Sequence, residues 1–389
     1  MKRVAMIIVI LAMANVLSAQ QPGTQNPPAV QPGAGQSGTA QPGTPAPPAK
    51  HPPQAKTQPE FDAYKAVVST IDLPAPGQPA LTLSFAKTAH TVTRAGGSWV
   101  TDGVVPGIWL KFGGVGIDPG NVGPFKTATV TASTLTLLDP DSKMTDQTAL
   151  KAATVQSNDP ATFERAADDF ATKFPASELR VVLFRNGMHL YQGANNGDKM
   201  LDMGRKVLKI DPDDPEALVG VAEVLAERTR DTDLDKDQRL EEAMKNSQRA
   251  VETVDTDIVA PAGTPQEKLD AYKGFLRSTA YSIMGKLALD KDKYADAENY
   301  LRKSIDAYPS QPDPVAVLRL AVALDKQDKY PEALKVANQA VDLTQENTNA
   351  GTVARQERDR LMKLTNSGTP APAPKPPAGD AQNQGSPKN

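Results

Sequence analysis

Two hydrophobic periods divide this chain, and the change between them falls near residue 140. From Leu81 to about Leu138 the period is two. Leu81, Leu83 and Phe85 alternate with Thr82 and Ser84, and Ile108, Leu110 and Phe112 alternate with Trp109 and Lys111. Thr129-Val-Thr and Leu135-Thr-Leu137 continue the pattern. The separators are rich in glycine and proline: Ala95-Gly-Gly97, Val105-Pro-Gly107, Gly113-Gly-Val-Gly116 and Asp118-Pro-Gly-Asn-Val-Gly123. Alternation with such punctuation predicts short strands. We expect a small all-β barrel or sandwich over 72–140, built from about five or six strands.

On either side the period is helical. A short helix is expected over 58–71, starting at Glu60-Phe-Asp-Ala-Tyr-Lys-Ala-Val67. From Thr145 onward helical spacing is expected to return. Phe163, Ala166, Ala167, Phe170 and Phe174 fall on one stripe of a helix that starts at Pro160. The next helix carries Phe184, Gly187, Met188 and Tyr191, and its partner carries Met200, Gly204 and Val207 before Asp211-Pro212.

These offsets recur. Tyr281, Met284, Gly285 and Ala288 are followed by Tyr294, Ala297, Leu301 and Ser304, ending at Tyr308-Pro309. Leu320, Ala321, Leu324, Tyr330, Ala333, Ala337 and Ala340 repeat the set about 36 residues on. The pattern resembles the tetratricopeptide repeat, a helix–turn–helix unit stacked into a solenoid. The resemblance spans 145–365 and implies a mainly α fold with a surface that binds a protein or peptide. One copy is split: helix A runs from Pro215 to Arg228, helix B passes through Leu240, Ala243, Ser247 and Ala250, and an acidic loop lies between. Phe163 to Ser177 looks like a degenerate helix B. The stretch around Thr101-Asp-Gly103, Gly107-Ile-Trp-Leu110, Asn121-Val-Gly123 and Thr129-Val-Thr-Ala132 resembles a β-module of phage tail proteins, which implies assembly or display. Its position suggests an insertion into a helical array.

The ends have another character. Lys2-Arg3, the apolar run Val4 to Val16 and Leu17-Ser-Ala19 predict a secretory signal over 1–19. Residues 20–57 repeat Gln-Pro-Gly and Pro-Pro, and 366–389 contain Pro370-Ala-Pro-Ala-Pro-Lys-Pro-Pro377; both are expected to be disordered, proline-rich arms. Together these features suggest a protein of the periplasm or cell envelope with no integral membrane segment after cleavage. Composition narrows the chemistry further. A net charge of -3 gives no pull toward nucleic acid. The absence of cysteine removes thiolate catalysis and cysteine zinc sites, and the three histidines lie far apart in sequence.

Two sets of residues are singled out. On the expected helix-A faces, Arg185, His189 and Gln192, with Ser282 and Lys286, are candidates for partner contact. The family's carboxylate-clamp pattern of lysine and asparagine is not reproduced. In the acidic loop, Asp231, Asp233, Asp235, Asp237 and Glu242 fall at positions 1, 3, 5, 7 and 12 of a calcium-binding loop. Lys236 stands where the turn needs glycine and Arg239 occupies position 9, so a solvated loop that caps the next helix is the competing reading. No cofactor motif or nucleophile–base pattern is present, and an enzyme is not expected. Oligomeric state is not legible. The expectation is a non-enzymatic interaction scaffold; the alternative is a surface-binding, glycan-binding or assembly protein acting through its β-module, with the repeats as spacer.

Overall fold

The alternation that begins at Leu81 closes on itself. In this computed structural model, which describes residues 50–138, 143–157, 159–260 and 263–366, the strands are β1 (Asp72–Leu73), β2 (Leu81–Ala86), β3 (Thr91–Arg94), β4 (Trp109–Gly113), β5 (Phe125–Val130), β6 (Thr134–Leu138) and β7 (Gln147–Gln156). Their antiparallel order is β7-β2-β3-β6-β5-β4, and β4 pairs back to β7 through Phe112 and Val155. The result is a six-stranded barrel, with β1 pairing beyond β2 on the same strand, β7. Leu83, Phe85, Val92, Leu110, Phe112, Leu135 and Val155 fill its interior. Closure leaves only short edges open to pairing with other chains.

Strand β7 corrects the expectation that helix returns at Thr145. Residues 147–156 belong to the barrel, and the helices resume at Pro160. The buried positions of β7 are Leu150, Ala153 and Val155, and the first spacing mimics a helix. The cause is a pair of irregularities against β2: Ala149 and Ala152 take left-handed φ values of 53° and 50°, and the register slips beside each. Bulges break the period of two.

The helices are α1 (Gln58–Val68), α2 (Pro160–Lys173), α3 (Leu179–Gly193), α4 (Gly197–Ile210), α5 (Pro215–Arg228), α6 (Lys236–Thr253), α7 (Gln266–Leu289), α8 (Tyr294–Ala307), α9 (Pro314–Asp325), α10 (Tyr330–Asp342) and α11 (Asn349–Asn366). Several open on the same local signal. Asp159, Asp214 and Asp313 each cap a helix whose first turn contains proline, and each carboxylate accepts an N–H of that turn. The turns within helix pairs also repeat. Asn195, Asp292 and Asp328 all take left-handed φ, and Tyr294 and Tyr330 donate to Asp292 and Asp328 at 2.6 Å each.

The described residues form two compact units, divided between Ala280 and Tyr281. In the first, α1 packs on α2 and α3, α2 on α3, α3 on α4 and α5, α4 on α5, and α5 on α6. Contact between next-but-one helices alongside sequential neighbours is the packing of a helical repeat array. The barrel therefore sits inside the first helix pair, between α1 and α2. Ser157 closes its neck: its hydroxyl donates to the Ser69 carbonyl and accepts the Ile71 N–H, both at 2.7 Å. In the second unit α9 packs on α8, α10 and α11, and α10 packs on α11.

Residues 50–57 belong to the tether expected over 20–57, yet they lie against the first unit in extended form, with Ala55 buried. Polar contacts to helical turns hold them there. The signal expected over 1–19, the rest of that tether, and the tail from 367 to 389 fall outside the described residues.

Candidate functional site

Helix α3 presents Arg185 and His189 one turn apart, and the opening of α5 presents Asp214 and Glu216. Arg185 hydrogen-bonds Asp214 through Nη2, and its Nη1 lies 3.6 Å from Glu216. His189 Nε2 is 2.9 Å from Glu216 Oε2. An ionised carboxylate only accepts, so Nε2 carries the proton. Tyr272, on the part of α7 within the first unit, donates to the same carboxylate and is fully enclosed.

The electrostatics follow from this crowding. Burial works to raise the Glu216 pKa, but Arg185, His189 and Tyr272 outweigh it and hold the carboxyl down at about 2. Burial and the neighbouring Glu216 charge push Asp214 up, against the pull of Arg185. Burial alone would lower the Arg185 pKa; its two carboxylates raise it instead. Burial and the charge on Glu216 lift the Tyr272 phenol well above its ordinary value. These five groups form an internal ion network. Two of its buried nitrogens, Arg185 Nε and His189 Nδ1, find no hydrogen-bond partner among the described residues.

Arg185 and His189, the residues expected to contact a partner, are thus drawn into contacts within the unit. Their side chains are only 17% and 13% exposed, and Arg185 Nη2 and His189 Nε2 both meet carboxylates at the opening of α5. Gln192 lies half-buried on the next turn of α3. Sequence reasoning missed Asp214, Glu216 and Tyr272. The Asp214-Pro-Glu216 opening was readable as a helix cap, but nothing local says that it meets an arginine 29 residues earlier.

Helix α5 is enclosed almost all round: from Pro215 to Ala226 only Glu223 is not buried. The second unit differs. After α9 has packed on three helices, Val315, Arg319 and Val322 remain half-buried along one stripe. The spacing of four then three places them on one face. Of the residues singled out in sequence, Ser282 is buried and donates to the α9 cap Asp313 at 3.4 Å, while Lys286 pairs with Asp290 at 2.7 Å.

The acidic loop does not converge on a point. Asp231 pairs with Lys236, Asp233 accepts the Arg230 N–H, and Asp235 precedes α6 without making a side-chain cap. Asp237 lies in the first turn of α6, and Glu242 turns to Arg205 on α4. No acidic or histidine cluster able to hold a metal occurs among the described residues. The calcium reading is corrected on this geometry: Lys236 and Arg205 supply the positive charge that an ion would have brought.

The barrel meets α2 through polar contacts. Lys111 pairs with Asp159 at 3.1 Å, Lys126 pairs with Asp169, and the Arg165 guanidinium sits 5.8 Å from the centre of the Trp109 ring. No described helix is long and apolar enough to cross a membrane.

No protein-family model matches the chain, and no curated protein matches it. Solved structures do. The chain is similar to YrrB, described as a TPR protein with an unusual peptide-binding site, at 14% identity and TM-score 0.33 over 51% of this chain and 90% of that one. It is similar to pilF of Pseudomonas aeruginosa at 17% identity and TM-score 0.36, over 54% and 86%. It is also similar to MamA from Desulfovibrio magneticus RS-1 at 20% identity and TM-score 0.28, over 48% and 96%.

Proposed function

We propose that this protein is a non-enzymatic interaction scaffold that binds an extended peptide or a peptide-like segment of a partner protein. The observation that carries this reading is the pair of half-buried valines, Val315 and Val322, on one face of α9, a helix whose other faces pack on α8, α10 and α11. Two branched apolar side chains two turns apart on one helix face can take apolar side chains of an extended segment. The pair belongs to a pre-formed helix, so binding costs little ordering on this side.

The barrel, fastened within the first helix pair, offers a second surface. The lysine-arginine start and short apolar run at residues 2–16 support export to the periplasm or cell envelope as the place of action. A photo-cross-linking residue in place of Val322 tests the binding surface in cells that express the full chain. The expected result is a discrete adduct that disappears when Val315→Glu is added. Adducts of equal yield with and without that change would refute the α9 assignment.

A further inference from the structure

The first unit carries an ordered strap. Residues 50–56, Lys-His-Pro-Pro-Gln-Ala-Lys, run extended over the turns that join one helix pair to the next. Lys56 Nζ donates to the Ala176 carbonyl at 3.3 Å, in the turn between α2 and α3. The Gln54 N–H points to the Glu178 carboxylate at 3.4 Å, and His51 Nδ1 lies 3.8 Å from the same group. The Lys50 ammonium reaches two later turns: Asp211, after α4, at 2.8 Å and Asp257, after α6, at 2.5 Å. The rings of Pro52 and Pro53 hold φ near the value of the polyproline form, which rises about 3.1 Å per residue. One short segment can therefore touch three successive turns in order.

We propose that this row of turns is a docking track for extended, proline-containing, lysine-bearing segments, and that residues 50–56 are its intramolecular occupant. Three features favour a displaceable ligand over a fixed part of the fold. The strap forms no sheet with the helical unit, so no ladder locks it. Its one buried apolar side chain is the small Ala55. Its charged contacts are partly exposed, with the Lys50 side chain at 34%, and ion pairs of that kind are weak and screened by salt. Without the strap, Glu178, Asp211 and Asp257 would form an acidic row spaced along the turns, complementary to lysines carried on a stiff backbone. Another segment of the same chemistry competes for that row. This surface is separate from the α9 stripe, and neither assignment depends on the other.

The absence of native cysteine makes a direct test clean. Spin labels are attached to cysteines placed at His51 and Lys245 of the full chain, and the distance between them is measured at low salt. The expected result is one narrow distribution that broadens with Lys50→Glu and with Asp211→Asn/Asp257→Asn, and narrows again in the charge swap Lys50→Asp with Asp257→Lys. Far-ultraviolet circular dichroism of each variant separates strap release from unfolding. A synthetic peptide, Lys-His-Pro-Pro-Gln-Ala-Lys-Thr, should bind the Lys50→Glu protein at least about tenfold more tightly than the same protein carrying Asp211→Asn/Asp257→Asn. A broad distribution in the parent protein, no broadening with Lys50→Glu, or peptide binding indifferent to the two aspartates would each overturn the proposal.

Discussion

Glu216 shows how a single side chain can tie several helices together. It receives Arg185 and His189 from α3 and Tyr272 from α7, while its own helix is enclosed. Its folded pKa of about 2 lies below the ordinary carboxylate value, so its contribution to stability is fully present above pH ~4.5 and is lost as pH falls toward 2. Thermal melts of the parent and of Glu216→Gln should therefore differ most at neutral pH and converge between pH 4.5 and 2. A gap that stays constant with pH would show that Glu216 acts through packing and not through charge. The residues of this network were only partly legible beforehand. Arg185 and His189 stood out as polar positions on a helix face, and that same polarity suggested solvent. Their acidic partners lie 27 to 31 residues away, across a turn whose geometry no local pattern fixes.

At the scale of elements, legibility followed periodicity. The repeated helices were readable because small residues recur where helices cross. Gly285, for example, has no room for a Cβ, which would stand 2.6 Å from Leu301 Cγ. Strands β2 and β4 were readable because Leu81, Leu83 and Phe85, and Leu110 and Phe112, keep the period of two. Strand β7 was not, because its left-handed alanines reset the phase. The last residues of the proline-rich arm were not readable either, since long-range ion pairs order them without any apolar pattern. The barrel's neck is the element-scale feature most open to test. Ser157 is buried and serves Ser69 and Ile71 at once. Removing its hydroxyl leaves the Ile71 N–H without that partner, at a cost of about 1–3 kcal/mol. Ser157→Ala should lower the melting temperature by several degrees and speed amide exchange at Ile71; unchanged exchange there would rule out this role.

Within the first unit the helices pack as a repeat array, and the barrel lies between α1 and α2 in the chain. Helix α1 still packs on α2 and α3 although 91 residues, from Ser69 to Asp159, separate it from α2. The face that α2 turns to the barrel carries Asp159, Arg165 and Asp169, side chains that water would accept. Excising residues 70–157 in favour of a short glycine-serine turn should therefore leave the helices folded. That excised chain also tests the central claim, which is that the helical array and not the barrel carries binding. Once cross-linking at position 322 has identified a partner peptide, its dissociation constant can be compared by titration calorimetry in three proteins. The prediction is an affinity unchanged within about twofold in the barrel-excised chain and weakened at least tenfold, about 1.4 kcal/mol, by Val322→Glu. Loss of binding on excision, with Val322→Glu still binding at full strength, would contradict the account.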